Sequence, residues 1–393
     1  MFSWNPLTIS YQKQEFSLNP MFRDIAHEIA RHLPEGKTVI DAGSGLGFLS
    51  KELSSEGLCV TAVENDPLAA RESVFPATRA DIHDLAPHPI TDMLVCCSFG
   101  SVLECLELAR SLTDGLLCMV RRNQHGHRFR PDDGSPSPAV IAKTMLLSLG
   151  IPYEETFVPI EGGQHFRDHD DATKFFHAYG IHELPSLEPC EGPFPLLYHK
   201  EDVASLFFIK KENIPDFRGK TTLVIEGEQG IGKTTLVTRL TEGYRGTLTG
   251  FLTRKRDGKV YISSLDGSLS GIAGNAGEST PKAFDSIGVQ ALRSAGELRI
   301  MDELGFMERE AYRFQDAVIS AVSDEKPTIA VVKDRDLPFL SMVKEHERSL
   351  LVRLSEENRD IVTEELRRAV CCCRIWPVAK AITRRSSGQS RHR

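Results

Sequence analysis

The stretch Gly227–Thr234 reads GEQGIGKT and fits the pattern G-x-x-x-x-G-K-[ST], a loop that wraps around phosphate groups. The apolar, β-branched run at 221–225 predicts a buried strand before it, and the run at 235–240 predicts a helix after it. Glycines let backbone N–H groups turn toward phosphate oxygens, and the N-terminus of the helix adds partial positive charge. The sequence therefore predicts a nucleotide-phosphate site at this strand-to-helix turn.

Two side chains of the loop have specific predicted roles. Lys233 is expected to reach the β- and γ-phosphates and to be catalytic, and the Thr234 hydroxyl is expected to bind Mg²⁺. The bound nucleotide would be ATP or another nucleoside triphosphate. The predicted nucleotide contacts are Gly227, Gly230, Gly232, Lys233, Thr234 and Thr235.

A pair of acids follows another predicted strand, at 297–303, which reads ELRIMDE. After a phosphate-binding loop, an acid at the end of a strand commonly holds Mg²⁺. Asp302 is therefore the predicted metal-side acid. Glu303 is the predicted general base, because a glutamate directly after that acid can polarise the attacking water.

The segments Gly250–Arg254, Met301–Glu308 and Glu357–Asp360, with Asp266-Gly267 between them, resemble the THEP1-type nucleoside-triphosphatases. The resemblance covers about residues 220–368 and implies a compact α/β P-loop domain that hydrolyses nucleoside triphosphates with loose base selectivity. Phe306 departs from the family, in which many members carry Lys, and this puts in doubt any phosphate or partner contact made there. Arg254 is a candidate for stabilising transition-state charge, and a surface arginine is an equal alternative.

The first half contains a second glycine-rich turn. A short predicted strand at 38–41 ends in Asp41 and runs into Gly43, Gly45 and Gly47, before a predicted helix that starts near Phe48. A dinucleotide fingerprint G-x-G-x-x-G would need its third glycine at 48. The pattern D-x-G-x-G-x-G resembles motif I of class I S-adenosylmethionine-dependent methyltransferases, and the resemblance implies that Asp41 and the three glycines bind S-adenosyl-L-methionine.

Two further acids are candidate cofactor contacts. Glu64 ends the next predicted strand and can accept hydrogen bonds from both ribose hydroxyls, a device that dehydrogenases share. Asp81 stands where methyltransferases often place an acceptor for the adenine amine, and a surface acid is an equal alternative.

Further helices are predicted at 20–33, 102–112, 139–149 and near 171–179. With the remaining predicted strands, up to about residue 211, they resemble a complete seven-stranded methyltransferase domain. The methyl acceptor is not identifiable, whether small molecule or macromolecule. The Arg- and His-rich insert Arg121–Arg130 could hold an anionic acceptor or supply a base, although a solvated loop is slightly favoured. Cys96 and Cys97 are predicted to be core residues rather than nucleophiles, and His165 remains ambiguous.

Composition indicates a soluble, cytoplasmic protein of two or three domains. The 393 residues are 40% hydrophobic and 26% charged, with a formal net charge of −8. We expect no membrane span and no signal peptide, and nine irregularly spaced cysteines suggest a reducing compartment. The overall charge does not suggest a nucleic-acid binder.

The predicted fold class is α/β with two domains: a Rossmann-like seven-stranded methyltransferase sheet at 1–214 and a P-loop NTPase sandwich at 215–370. Residues 371–393, from Cys371–Cys373 onward, are predicted to be a disordered basic tail, through which nucleic acid could bind. The predicted function is methyl transfer together with hydrolysis of nucleoside triphosphates to diphosphate and phosphate. The alternative is a domain that senses S-adenosylmethionine and controls a regulatory or partner-loading NTPase.

Overall fold

The computed structural model describes residues 4–85, 91–124, 129, 134–242, 244–275, 278–372 and 376–383. The chain divides into two compact units. The first comprises Met1–Gly100, Leu108–Lys143 and Pro152–Ile214, and the second comprises Ser101–Glu107, Thr144–Ile151 and Pro215–Arg393.

The first half of the chain forms one sheet of eight strands. They are β1 Thr38–Ala42, β2 Cys59–Glu64, β3 Ala77–Arg79, β4 Thr91–Cys97, β5 Thr113–Arg122, β6 Glu154–Phe166, β7 Glu188–Pro189 and β8 Leu196–Lys210. Seven of them follow the order β3-β2-β1-β4-β5-β8-β6, and the two-residue β7 pairs with β8. Strands β1 to β5 are parallel, whereas β8 is antiparallel to both β5 and β6. The predicted seven-stranded Rossmann-like sheet is confirmed.

The helices of the first half are α1 Pro6–Leu18, α2 Met21–Ala30, α3 Phe48–Ser55, α4 Pro67–Glu72, α5 Val102–Leu112, α6 Pro138–Ser148 and α7 His169–Ala178. Sequence patterning predicts α2, α3, α5, α6 and α7 but not α1. Its N-terminus carries a signal, since Asn5 and Thr8 form a reciprocal capping box and Pro6 occupies the first turn. The apolar faces of α2 and α3 pack on Val39, Met93 and Val95 of the central strands.

The second half of the chain forms another eight-stranded sheet. Its strands are β9 Thr222–Gly227, β10 Leu248–Arg256, β11 Lys259–Ser264, β12 Ser270–Asn275, β13 Glu278–Ser279, β14 Leu298–Leu304, β15 Thr328–Lys333 and β16 Ser349–Leu354. The order is β13-β12-β11-β10-β14-β15-β9-β16. Strands β10, β14, β15, β9 and β16 are mutually parallel, and β11 to β13 extend the sheet as antiparallel strands. The carboxyl ends of β9, β14 and β15 therefore meet at one edge.

The helices of the second half are α8 Lys233–Thr241, α9 Pro281–Ala283, α10 Val289–Arg293, α11 Tyr312–Ser323, α12 Pro338–Glu345, α13 Arg359–Cys372 and α14 Pro377–Thr383, with a π-helical turn at Phe284–Gly288. A core that includes Val224, Met301 and Ala330 of the parallel strands and Phe314 of α11 holds the sheet. None of the helices in the described ranges has the length and apolar character needed to cross a membrane.

The prediction of a disordered tail from residue 371 is wrong for its described part. Helix α13 continues to Cys372, and α14 follows after a short gap. Trp376, Val378 and Ala379 are buried, with Trp376 only 1% exposed. Burial of these apolar side chains stabilises a helix that charge composition alone does not reveal. Cys373, Arg374 and the arginines from Arg384 onward lie outside the described residues.

Candidate functional site

The phosphate-binding loop lies between β9 and α8, as predicted. Gly232 has φ +103°, a left-handed conformation that side chains with a Cβ rarely adopt, and it leads directly into Lys233 at the start of α8. A Cβ on Gly227 would lie 2.8 Å from the carbonyl oxygen of Leu354 on β16. Close packing of β9 against β16 therefore explains the first glycine, and backbone conformation explains Gly232.

Lys233 is buried at the base of the loop, and its side chain is 4% exposed. Its ammonium donates hydrogen bonds to the carbonyl oxygens of Gly227 and Glu228, both at 2.7 Å. It also lies 3.2 Å from Oε1 of Glu303. The loop lysine and the predicted general base are thus in direct contact.

Thr234 and Asp302 are brought together as the predicted metal ligands. The Thr234 hydroxyl lies 3.2 Å from both carboxylate oxygens of Asp302 and donates to them. Burial raises the pKa of Asp302, while the Thr234 hydroxyl bond opposes that shift. A hydroxyl and a carboxylate are the hard oxygen ligands that Mg²⁺ prefers.

Glu303 contacts a second lysine that the sequence analysis does not single out. Its Oε2 lies 3.3 Å from Nζ of Lys333, the last residue of β15. The sequence signal for Lys333 is a cation at the carboxyl end of a buried apolar strand, because parallel strands bring their carboxyl ends to one edge.

Arg254 is exposed on β10, two residues beyond Leu252, which is the register partner of Asp302. The positive charge of Arg254 acts to lower the pKa of Asp302 and so opposes the effect of burial. Phe306, at the position where the family often has Lys, packs against the core, and the Lys333 ammonium lies 5.5 Å from the centroid of its ring. Thr235 is exposed in the first turn of α8.

Glu308 is a buried acid close to this edge, and it is 1% exposed. Its Oε2 accepts a hydrogen bond of 2.9 Å from the backbone N–H of Gly305. Burial raises the pKa of Glu308 to about 7, although the Gly305 hydrogen bond acts in the opposite direction. Burial therefore brings the pKa of this carboxyl group close to neutral pH.

The first half brings Asp41, the glycine turn and Glu64 together at the carboxyl ends of β1 and β2. Glu64 is 8% exposed, and its Oε2 accepts a bond of 2.8 Å from the N–H of Gly45, while its Oε1 accepts one of 2.7 Å from the N–H of Asp66. Asp41 accepts a bond of 2.6 Å from the Ser50 hydroxyl. Burial raises the pKa of Asp41 to about 6.

A cavity of about 450 Å³ opens beside this turn. Backbone of the turn and the two acids form one part of its wall, aromatic rings form a second, and polar side chains form a third. The aromatic residues are Trp4, Phe16, Phe22 and Phe48, and the polar ones include Arg122, Gln124, Lys200 and Asp202. Trp4 lies against the turn, since a Cβ on Gly45 would be 3.2 Å from its ring. Sequence reasoning misses Trp4 and Phe16 because it does not predict α1.

Three other residues that the sequence brings forward in this half, Asp81, Cys97 and His165, lie in different surroundings. Asp81 accepts a hydrogen bond of 3.0 Å from the N–H of His83 and caps a short turn, and it is not among the described residues that line the cavity. Cys97 lines the cavity, but burial raises its pKa to about 12, so it is a poor nucleophile at neutral pH. His165 pairs with Glu15 of α1 at 2.9 Å.

The basic insert is only partly described. Arg121 is 5% exposed and donates to the carbonyl oxygens of Cys96 and Phe99, at 2.8 and 2.7 Å, which is a structural role. Arg122 lines the cavity, 3.7 Å from Asp202. His125, His127, Arg128 and Arg130 lie outside the described residues. Within the described ranges, no group of three or more His, Cys, Asp or Glu could hold a metal ion.

Comparisons with known proteins agree with the geometry of the second half. A family model described as NTPase matches residues 272–367. The nucleoside-triphosphatase THEP1 of Thermotoga sp. (strain RQ2) is 30% identical over 162 residues, which cover 37% of this chain and 92% of that protein. The crystal structure of THEP1 from Aquifex aeolicus is 25% identical with a TM-score of 0.33, covering 37% of this chain and 96% of that one.

For comparison, the crystal structure of precorrin-6y C5,15-methyltransferase from Geobacter metallireducens GS-15 is 13% identical with a TM-score of 0.30 and covers 48% of this chain and 87% of that one. The nucleoside-triphosphatase THEP1 of Thermotoga is therefore matched over nearly its whole length. Through this second half, the chain belongs to the THEP1 family of nucleoside-triphosphatases.

Proposed function

We propose that the chain is bifunctional. The second half hydrolyses a nucleoside triphosphate to diphosphate and phosphate with Mg²⁺, and the first half transfers a methyl group from S-adenosyl-L-methionine to an acceptor. The observation that carries the proposal of hydrolysis is the convergence of Lys233, Thr234, Asp302 and Glu303 at one sheet edge. The proposed location is the cytoplasm, and the irregular spacing of the nine cysteines in the sequence supports it.

Nucleotide binding would begin with the loop backbone and Lys233. The lysine now donates to two loop carbonyl oxygens and contacts Glu303. Phosphate oxygens would replace some of these acceptors when the nucleotide enters, since a charged phosphate is a stronger acceptor than a carbonyl. Thr234 and Asp302 would hold Mg²⁺, which neutralises phosphate charge when bound.

Glu303 would act on the attacking water. Once Lys233 turns to the phosphates, Oε1 of Glu303 becomes available to accept a proton from that water. Arg254 would add positive charge near the transferring phosphoryl group. Its position on β10, near Asp302, supports this role.

The residues around the first glycine turn fit S-adenosylmethionine. Glu64 is fixed by backbone N–H groups, and each of its oxygens retains further capacity to accept a ribose hydroxyl. The Gly43–Gly47 backbone and the aromatic wall of the cavity would accommodate the rest of the molecule. When bound, S-adenosylmethionine supplies an activated methyl group. The chain's own contribution would be to orient the cofactor and acceptor and to exclude water, which can lower a barrier by ~7–11 kcal/mol.

Calorimetry on the full chain tests the first half. We expect S-adenosylmethionine and its demethylated product to bind, and Glu64→Ala to weaken binding by about 1.5–3 kcal/mol, or roughly ten- to a hundredfold. The matched control is Glu56→Ala, whose side chain is 30% exposed and pairs with His27, and it should bind normally. Tight binding of NAD without binding of S-adenosylmethionine would show that the glycine turn serves a dinucleotide.

Phosphate release from ATP, GTP, CTP and UTP in the presence of Mg²⁺ tests the second half. Hydrolysis should be lost on chelation and restored by Mg²⁺. Incubation with labelled S-adenosylmethionine and a metabolite extract would then show whether any acceptor becomes methylated. Binding without transfer to any acceptor would favour the sensor alternative.

A further inference from the structure

Lys333 lies at the same sheet edge as the phosphate-binding loop. It ends β15, and its register partner on the neighbouring strand is Gly227, the first residue of the loop. Its ammonium is 3.3 Å from Oε2 of Glu303, while Oε1 of the same carboxylate is 3.2 Å from Lys233. Each carboxylate oxygen of Glu303 therefore pairs with a different lysine.

The Lys333 side chain is held by packing as well as by charge. A Cβ on Gly305 would lie 2.8 Å from its Cδ, so the aliphatic stem runs against that glycine. Its ammonium lies 5.5 Å from the centroid of the Phe306 ring, within the range of a cation–π interaction. These contacts limit the conformations of a flexible side chain and direct its charge toward Glu303.

Nucleotide binding would change the contacts of Lys233 but not those of Lys333. Lys233 belongs to the loop and is needed by the phosphates, so its contact with Glu303 is the one to be exchanged. Lys333 belongs to β15, and its contacts with Gly305, Phe306 and Glu303 can persist when the loop is filled. Glu303 would then have Oε2 held and Oε1 free to face water.

We propose that Lys333 is a positioning residue for hydrolysis, which fixes the Glu303 carboxylate by binding Oε2. The proposal rests on the proposed function, in which Glu303 is the general base. Both side chains are partly open to solvent, with 22% of Lys333 and 25% of Glu303 exposed.

The experiment compares Lys333→Met, Lys333→Arg, Glu303→Gln and the double variant Lys333→Met/Glu303→Gln in the full chain. We expect Lys333→Met to lower kcat for ATP by about 10- to 100-fold, the cost of a misplaced catalytic group. KM and the affinity for a non-hydrolysable ATP analogue should change little. Lys333→Arg should recover part of kcat, because it restores a cation at the same position.

The double variant separates positioning from a direct contact with substrate. If Lys333 acts through Glu303, adding Lys333→Met to Glu303→Gln should cause almost no further loss, since interacting residues are not additive. Lys326→Met is the matched control. This lysine precedes the same strand at its opposite end, and its variant should keep the wild-type kcat.

Three outcomes would overturn the inference. They are a wild-type kcat for Lys333→Met, an equal loss in the presence and absence of Glu303, or a loss of analogue affinity as large as the loss of kcat. A different result addresses the proposed function itself. If Glu303→Gln hydrolyses ATP at the wild-type rate, Glu303 is not the base, whatever Lys333 does. Circular dichroism and thermal melting of each variant identify any that fail to fold.

Discussion

Lys233 and Glu303 form a direct ion pair, with 3.2 Å between Nζ and Oε1, although they belong to α8 and to the end of β14. The pair joins the residue expected to bind phosphate to the residue expected to activate water. It therefore offers a way to separate binding from chemistry.

Lys233→Ala should impair both nucleotide binding and hydrolysis, whereas Glu303→Gln should impair hydrolysis alone. Lys233 would contact phosphate in both the ground state and the transition state, so its removal should weaken nucleotide binding and hydrolysis together. Glu303→Gln keeps the shape and removes the base, and it should slow single-turnover hydrolysis by about 10²–10⁴-fold with nearly normal affinity. The measurement is nucleotide affinity beside single-turnover rates. If Glu303→Gln loses affinity as severely as Lys233→Ala, Glu303 has a structural role in the loop.

Asp302→Asn should produce a defect that depends on Mg²⁺. The substitution removes the charge of a carboxylate that lies 3.2 Å from the Thr234 hydroxyl, and the loss should raise the Mg²⁺ concentration for half-maximal hydrolysis by about 10- to 100-fold. A Mg²⁺ titration of the hydrolysis rate checks this. Glu303→Gln serves as the comparison, because excess Mg²⁺ should not restore it. Equal responses of the two variants to Mg²⁺ would contradict separate roles.

Glu308 should make stability fall as pH rises toward neutrality. Its pKa is raised from 4.5 to about 7 by burial, so the folded state retains a proton that the unfolded state releases. Unfolding is then favoured as pH increases from about 4.5 to 7, by an amount on the order of 3 kcal/mol. Glu308→Gln should remove this dependence and stabilise the fold above pH 7.

Thermal melting between pH 4.5 and 8 measures the effect of Glu308. Glu310→Gln is the control, because its side chain is 57% exposed and pairs only weakly with its neighbour Arg309. Parallel pH profiles for wild type and Glu308→Gln would show that another group is responsible for the dependence.

Lys344→Met should destabilise the second half. Lys344 lies 2.8 Å from Oε1 of Glu226 on β9, and the two side chains are 15% and 8% exposed. Removing the lysine leaves a buried carboxylate with the more exposed Arg353 as its remaining ion-pair partner among the described residues, which should cost about 3 kcal/mol. Denaturant unfolding measures the loss, and adding Glu226→Met should recover much of it.

Lys13→Met provides the surface comparison for that measurement. Lys13 forms an ion pair of similar length, 3.0 Å to Glu72, but these side chains are 35% and 37% exposed. Solvent screens such a pair, so the loss should be much smaller than that of Lys344→Met. Similar losses for Lys13→Met and Lys344→Met would show that burial does not set the strength of these pairs.

The elements around both glycine turns could be predicted because local sequence determines them. The apolar run at 221–225 corresponds to β9 Thr222–Gly227, and the helix predicted at 102–112 is α5 with the same bounds. The pairing of Lys333 with Glu303 could not, because it depends on the register of β15 beside β9 and on the path of the chain after β14. Strand order is a property of tertiary packing and leaves no local pattern.

Helices α1 and α14 escape prediction from the sequence for a different reason. Helix α1 has little amphipathic character, and its evidence lies in the capping box of Asn5 and Thr8 rather than in periodicity. Helix α14 follows three cysteines and precedes a basic segment, and this composition is typical of a disordered tail. The burial of Trp376, which stabilises the helix, cannot be read from composition. The predicted domain boundary between residues 214 and 215 remains a prediction that fragment expression can examine.

Trp4 lies against Gly45 in the first half, and Trp376 is buried in the second. The chain has two tryptophans, so each half carries its own intrinsic fluorophore. A Trp376→Phe variant would let emission from Trp4 follow occupancy of the first cavity while nucleotide is titrated into the second half. Since coupling between two ligands is reciprocal, a change in apparent affinity for S-adenosylmethionine on adding nucleotide would measure communication between the two halves directly.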